Sequence, residues 1–193
     1  MKLKNLKTSL SVVSICLLLF VFSGSFAQTQ KENPSATRNL EIASPEYAEL
    51  ASKALTYLTK LEIDKWASML ADDVEYNFPD GDEGTRTKLT GKAAVQGWWS
   101  NWVKTSGIKS MTMDRAVFIP VNSLEKNPST GLTGVSVISY YSNNMDINGT
   151  SLKLRMNFTV HFNKNKLIDR YYTYYDRAQI VAIMGKNVLE GKK

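Results

Sequence analysis

Residues Leu152–Phe162 read LKLRMNFTVHF, and apolar and polar side chains alternate along them without interruption. Because successive side chains of a β-strand point to opposite faces, this segment predicts a strand with one apolar and one polar face. A strand of this length requires neighbouring strands and a layer that covers its apolar side. The segment therefore predicts a sheet domain with an apolar interior.

Further strands are predicted on both sides of this segment. The stretches Ile108–Val121 and Leu132–Ser142 precede it and Leu167–Tyr175 follows it, and all three are rich in β-branched and aromatic residues. Asn148-Gly149 is typical of a tight hairpin turn. Within Ile138–Tyr141 either parity is apolar, so the sequence leaves both inward-facing registers open.

Helices are predicted mainly in the N-terminal half. Ser44-Pro45 is typical of a helix start, because serine caps free N–H groups and proline suits the first turn. A short helix over Asp64–Leu70 and a strand over Asp73–Phe78 follow. The next helix, Lys92–Val103, carries three tryptophans within five residues, a large apolar load that needs cover. Residues Asp176–Met184 predict a terminal helix.

The first 27 residues predict an export signal. Lys2, Lys4 and Lys7 make the start of the chain basic, and Leu10–Phe22 is apolar. Ser25-Phe26-Ala27 then fits a small-x-small cleavage site. The alternative, a membrane anchor, is disfavoured because the apolar run is shorter than the ~20 residues that a spanning helix needs. We expect cleavage after Ala27, a periplasmic or secreted product, and no membrane attachment after cleavage.

The mature chain is expected to hold a disordered lead at 28–43, one domain at 44–186 and a tail at 187–193. Cys16 lies in the signal, so the mature domain has neither disulfide nor thiol nucleophile and depends on its core. Three of the 24 Lys and Arg residues also lie in the signal, which leaves 21 against 18 acidic residues. These basic residues do not cluster, and we therefore expect no nucleic-acid partner.

The predicted order is two helices, a strand, a helix and an antiparallel meander, and within it stand the segments Trp66–Val74, Gly91–Val95 and Lys166–Asp169. On these residues the chain resembles, over Pro45–Met184, the nuclear transport factor 2-like superfamily and, within it, the SnoaL-like domains. It implies an α+β fold, in which a cone-shaped, curved antiparallel or mixed β-sheet wraps around three N-terminal-half helices (a cystatin-like roll). It also implies a homodimer through the outer sheet face, and no single function.

The resemblance implies a pocket inside the cone, facing the apolar side of Leu152–Phe162. The side chains expected to line it come from the helices and from the inner face of the sheet. They are Tyr57, Trp66, Met69, Tyr76, Phe78, Trp99, Trp102, Met156, Phe158, Arg170, Tyr172 and Tyr174.

Ketosteroid isomerase is the enzyme of this superfamily that compares most closely. Its proton transfer needs a carboxylate base near the end of the first strand, and a tyrosine and a protonated aspartate that hold the enolate oxygen. The resemblance puts Phe78 at the base position, Phe158 at the aspartate position and Ala54 at the tyrosine position. Phenylalanine neither accepts nor donates a proton, and a one-residue slip brings in only Asn77 or Asn157. No catalytic base is therefore identified.

His161, the single histidine of the chain, is the natural comparison with dehydratase relatives, which use a histidine with an aspartate. Strand parity directs it away from the cone, so we predict a surface or interface histidine. A metal site is not expected, because there is no second histidine, no cysteine in the mature chain and no close acidic partner in sequence.

Arg170 shares strand parity with Tyr172 and Tyr174 and is thereby predicted on the pocket side. An arginine there suits a carboxylate or sulfate group of a ligand. It equally suits an ion pair with a structural acid such as Asp114 or Asp176, or a position at the rim with its stem packed on tyrosines. Both interpretations stay open at this point.

The sequence favours a binding module that holds a small apolar or aromatic molecule without an identifiable catalytic base, cofactor or metal. One alternative is a core that these side chains simply fill. Another is a lyase, isomerase or hydrolase of the ketosteroid isomerase or dehydratase type with a rearranged acid–base set, for which the candidates are Tyr57, Tyr76, Asp114 and Arg170. A third is a protein-interaction role of the outer sheet face.

Overall fold

The computed structural model describes residues 39–80, 86–187 and 189, which form one seven-stranded sheet and four helices. In chain order the elements are β1 (Leu40–Ile42), α1 (Pro45–Thr59), α2 (Ile63–Ala67), β2 (Leu70–Asn77), β3 (Lys88–Thr90), α3 (Lys92–Thr105), β4 (Ile108–Ser123), β5 (Gly134–Ile147), β6 (Thr150–Phe162), β7 (Ile168–Tyr174) and α4 (Ala178–Met184).

The strand order is β1-β4-β5-β6-β7-β2-β3. All neighbouring strands are antiparallel except β2 and β7, which run parallel. Parallel neighbours need a long connection, and here it contains α3 and the long strands β4 to β6. Helices α1 to α3 share one apolar core with the inner face of the sheet. The predicted α+β architecture, a mixed sheet with helices in the N-terminal half, is confirmed.

Strand β6 has the alternation that its sequence predicts. Its six inward side chains, from Leu152 to Phe162, are between 2% and 7% exposed. Each buried aliphatic or aromatic side chain of this kind contributes roughly 1.5–3 kcal/mol through removal from water. This burial fixes the register, because a slip of one residue would turn the polar face of β6 toward the core.

Strands β5 and β6 meet at a tight turn, and β4 is bent. Asn148 and Gly149 both have positive φ, 52° and 82°, as a two-residue turn of the predicted kind requires. In β4 one extra residue lies between Asp114 and Val117, where Arg115 has φ 51°. A bulge of this type bends a strand and increases its twist. The open register of β5 resolves with Tyr141 inward, 4% exposed.

Strand β7 departs from the predicted alternation. Phe162 pairs with Ile168, but the preceding residue of β6, His161, pairs with Arg170, so Asp169 is an extra residue in β7. This bulge places Ile168 and Arg170 on opposite faces of the sheet despite their spacing of two. From that point on, the inward residues are Tyr171 and those of its parity.

Two further boundaries differ from the sequence expectations. Residues Leu40–Ile42, expected within the disordered lead, form β1 and pair with Val121–Ser123 at the edge of the sheet. Helix α2 ends at Ala67 rather than Leu70, because Leu70 already pairs with Ile168 of β7. Tertiary pairing overrides local propensity at both places.

The predicted signal peptide at 1–27 lies outside the described residues, as do most of the predicted lead and tail. In the described part of the chain, none of the helices combines the length and the apolar character that crossing a membrane requires.

Candidate functional site

A narrow space, called the hollow below, lies between the apolar face of the sheet, helix α3 and the start of α4. Its volume is about 40 Å³, enough for a few water molecules. Most of its wall is aromatic or apolar. The lining residues are Leu58, Thr59, Phe78, Trp98, Trp99, Trp102, Met111, Tyr141, Asn143, Met145, Met156, Phe158, Tyr175, Arg177, Ile180 and Leu189.

Part of the pocket lining predicted from sequence lies in this wall. Helix α3 supplies adjacent indoles, and the ring centroids of Trp98 and Trp102 each lie 5.3 Å from that of Trp99 in edge-to-face packing. Such pairs stabilise an aromatic wall beyond its buried area. The predicted residues found in the wall are Phe78, Trp99, Trp102, Met156 and Phe158.

Four predicted lining residues from the helices and β2 lie elsewhere. Trp66 and Tyr76 are fully buried in the core behind the wall, where the indole N–H of Trp66 donates to the hydroxyl of Tyr171 at 2.8 Å. Met69 packs against that core, and Tyr57 lines a separate open groove beside α1. Sequence periodicity predicts that a side chain points inward, and it carries no information on which inward side chains border a cavity.

The prediction that Arg170, Tyr172 and Tyr174 line the pocket is wrong, because the bulge at Asp169 turns this parity outward. Tyr174 is 46% exposed. Arg170 donates from Nη1 to its neighbour's backbone carbonyl on the outer face. In the same region of the chain, Tyr175 lines the hollow instead.

Four tyrosines of the interior lie close enough to influence one another: Tyr76, Tyr141, Tyr171 and Tyr175. Burial raises the pKa of all four phenols, to about 12 for Tyr175. They are therefore neutral near pH 7, and a neutral phenol can donate a hydrogen bond to a ligand but is a poor base.

Asn143 and Arg177 are polar members of the largely apolar wall, and sequence reasoning missed both. Asn143 is 4% exposed, its Oδ1 is buried without a hydrogen-bond partner, and its Nδ2 lies 3.7 Å from Sδ of Met111. Nη1 of Arg177 is also buried and unpartnered. Asn143 shares parity with Tyr141, so a fixed register for β5 would have revealed it. Arg177 follows the last strand, where no periodicity reports its direction.

Asp80 lies beside the hollow, although no carboxylate among the described residues lines it. Its Oδ2 accepts a hydrogen bond from Oγ1 of Thr87 at 2.6 Å, and its Oδ1 is buried without a partner. Burial raises the pKa of Tyr175, Arg177 opposes that increase and Asp80 adds to it. The cation and the carboxylate thus both lie near this phenol. The sequence indicated only a turn at Asp80.

His161 faces away from the hollow, as its parity predicts, but it is not a surface residue. It is 7% exposed, and it has a close acidic partner that the sequence did not reveal. Nδ1 lies 2.6 Å from Oδ1 of Asp169, and Nε2 lies 2.9 Å from the carbonyl oxygen of Thr133. Burial would lower the pKa of His161, but these two hydrogen bonds outweigh burial and raise it.

Acidic residues elsewhere in the described part of the chain do not assemble a site. Asp114, a candidate for the catalytic alternative, binds Arg115 at 3.1 Å and Lys153 at 3.2 Å, and these contacts lower its pKa. In the described part of the chain no three His, Cys, Asp or Glu side chains come together as metal ligands would.

Solved structures share this arrangement of sheet and helices. A protein from Xanthomonas campestris pv. campestris, named as an inferred polyketide cyclase, superposes with a TM-score of 0.55 at 16% identity and covers 74% of this chain and 99% of that chain. The chain has the nuclear transport factor 2-like, SnoaL-like fold. An inferred isomerase from Bacillus subtilis has the same fold, with a TM-score of 0.51 at 19% identity, covering 74% of this chain and 95% of its own.

A third protein with the nuclear transport factor 2-like fold comes from Silicibacter sp. and is also named as an inferred polyketide cyclase. Its TM-score is 0.53 at 14% identity, and the match covers 74% of this chain and 98% of that chain. No family model and no curated protein matches the sequence. At these identities the likeness establishes the fold alone, and function has to be argued from the site.

Proposed function

We propose that this domain binds a small aromatic or apolar molecule in the hollow, without a carboxylate base in the wall. The supporting observation is a wall of aromatic side chains in which Asn143 Oδ1 and Arg177 Nη1 are buried without partners. Leaving a buried polar group unpaired costs about 1–3 kcal/mol, and more for a charged group. A core that served packing alone would have no reason to keep them, whereas sites for small molecules combine apolar walls with a few polar groups.

The volume of the hollow sets a condition on binding. About 40 Å³ is well below the roughly 150 Å³ of a cavity that accepts benzene, so an aromatic ligand requires the wall to move. Helix α4, which borders the hollow, can move at a small loss of buried surface, because only Ile180 of its seven residues is buried. We therefore place ligand access at this end of the hollow.

Tryptophan fluorescence tests the proposal, since Trp98, Trp99 and Trp102 all lie in the wall. Aromatic probes of increasing size are expected to quench emission saturably, and Ile180→Ala is expected to tighten binding by enlarging the hollow. Ile119→Ala, on the outer face, is the matched control and should bind as the wild type does. Absence of saturable quenching in both the wild type and Ile180→Ala would establish a filled core instead.

A second candidate function is acid–base catalysis by a rearranged set, and Asp80 is the observation that favours it. Its unpartnered Oδ1 near the neutral phenol of Tyr175 would supply a proton acceptor and a proton donor beside one another. The test is deuterium exchange at an acidic C–H of a bound ketone, compared between wild type and Asp80→Asn. Equal rates would exclude Asp80 as a base.

We also propose that the chain is exported after cleavage behind Ala27, on the strength of the basic start, the apolar run and the small-x-small site. Expression in a bacterial host followed by mass spectrometry of the periplasmic and secreted fractions tests this. We expect a mature product that begins at Gln28, and an intact Met1 in those fractions would contradict the proposal.

Finally, we propose a homodimer through the outer sheet face. Two cross-strand rows support it: Val117, Tyr140, Asn157 and Tyr174 align in register across four strands, and the next row holds Ile119, Ile138, Thr159 and Tyr172. Val117, Tyr140 and Tyr174 are about half exposed, so the rows form an apolar patch. Tyr140→Glu should yield a monomer in light scattering, and Ile42→Glu, exposed at the sheet edge, should not.

A further inference from the structure

Arg177 contributes a cationic side chain to the wall of the hollow. Its Nη1 is buried without a partner, and none of the described lining residues carries a carboxylate. Asp80 lies near the same phenol, Tyr175, but forms no ion pair with Arg177. The adjacent Asp176 accepts from the backbone N–H of Ala178 at 2.9 Å. A buried cationic N–H without an acceptor is unfavourable, and no ion pair joins Arg177 to another described residue, so this position calls for an anion.

Two further groups can join such an anion. Tyr175 remains protonated near pH 7 and offers a hydroxyl donor in the same part of the wall. The amide of Asn143 has its Oδ1 unpaired, and a half-turn of the amide would present its N–H₂ instead. The wall thus holds more donor capacity than acceptor capacity, and the only formal charge among its described residues is positive.

We infer that the ligand is an aromatic carboxylic acid, with its ring among Trp99, Trp102 and Phe158 and its carboxylate on Arg177. This inference rests on the proposed binding function. A carboxylate supplies both the acceptor and the negative charge that Nη1 lacks, and charge-assisted N–H···O⁻ bonds are about twice as strong as neutral ones. The aromatic wall accounts for the ring and the guanidinium for the acid group.

Matched probes separate this inference from the binding function itself. Benzoate is compared with benzamide and benzylammonium, and 2-naphthoate with 2-naphthamide, by calorimetry and tryptophan fluorescence at pH 7. We expect each acid to bind about tenfold more tightly than its amide, as one hydrogen bond to a charged group provides. Equal affinities would overturn the acid preference while leaving the binding function intact. Binding by none of the five would overturn both.

The variant Arg177→Gln tests whether the ligand carboxylate binds at Arg177. It should reduce the acid-to-amide affinity ratio to near one while the amides bind as before, and Arg155→Gln, an exposed arginine on the outer face, should keep the wild-type ratio. An unchanged ratio in a folded Arg177→Gln protein would overturn the assignment. If that variant does not fold, the wild-type ratios for the two matched pairs still decide the ligand class.

Discussion

Nδ1 of His161 lies 2.6 Å from Oδ1 of Asp169 on the outer face of the sheet. The other ring nitrogen, Nε2, meets the carbonyl oxygen of Thr133 at 2.9 Å, and a carbonyl can only accept. Both nitrogens therefore face acceptors, and both can donate only when the ring is protonated. The geometry selects the imidazolium, and it does so on a side chain that is 7% exposed.

The first prediction concerns pH. The folded-state pKa of His161 is raised above the value of 6.5 that applies when the chain is unfolded. The protonated ring therefore stabilises the fold fully below about pH 6.5, and this contribution is lost as pH rises through the raised pKa. We expect urea unfolding to show this decline. His161→Gln should show a flatter profile over that range, and parallel profiles for the two proteins would contradict the assignment.

Removing the negative charge of Asp169 should change the titration of His161. Asp169→Asn replaces a carboxylate acceptor with a neutral amide. The negative charge that raises the pKa of His161 is then lost, while the burial that lowers this pKa remains. We expect an NMR titration of the imidazole protons to give a lower pKa than in the wild type. Asp73→Asn, at an exposed carboxylate of β2, serves as the control and should leave the imidazole titration unchanged.

The hydrogen bond from Trp66 to Tyr171 should carry measurable stability. Both side chains are fully buried, so Trp66→Phe removes core volume and leaves the hydroxyl without its donor. We expect a loss of about 2–4 kcal/mol in the free energy of unfolding. Tyr171→Phe, which keeps the ring, should lose about 1–3 kcal/mol. A smaller loss for Trp66→Phe than for Tyr171→Phe would contradict this reasoning.

Substitution of two glycines by alanine should change the free energy of unfolding in opposite directions. Gly107 has φ 77°, and a Cβ there would collide with the side chain of Asn148, so Gly107→Ala should destabilise by about 1–3 kcal/mol. Gly97 lies exposed in the middle of α3 with nothing near an added Cβ. Gly97→Ala should stabilise by roughly 0.5–1 kcal/mol. Thermal unfolding distinguishes the two outcomes, and the same sign for both would refute the argument.

The sequence predicts the fold well where burial enforces a period. Strand β6 and its inward side chains follow from alternation alone, and helix α1 begins at its predicted serine and proline, with Ser44 Oγ accepting from Glu46 N–H. The prediction for β7 fails for one physical reason. A single extra residue at Asp169 exchanges the two faces, and no local pattern marks a bulge that depends on the pairing of β7 with β6.

The candidate site is less accessible to sequence reasoning than the fold. Phe78, Trp99 and Phe158 border the hollow because they are large, apolar and inward-facing, which sequence does predict. The polar members depend on other facts. Asn143 can be predicted in the wall only when the register of β5 is known. Arg177 can be predicted there only when the direction of the chain after the sheet is known. The partner of His161, eight residues away, is likewise defined only by the pairing of two strands.

The parallel pairing of β2 with β7 links synthesis of the chain to its folding. In this pairing Leu70 lies opposite Ile168, and Tyr76 lies opposite Tyr171. The parallel neighbour of β2 therefore leaves the ribosome almost a hundred residues after β2 itself. Until then one edge of β2 stays open to other strands, which is a hazard for aggregation. A nascent chain of this kind cannot complete its sheet early. Holdase chaperones therefore have a long interval in which to engage it.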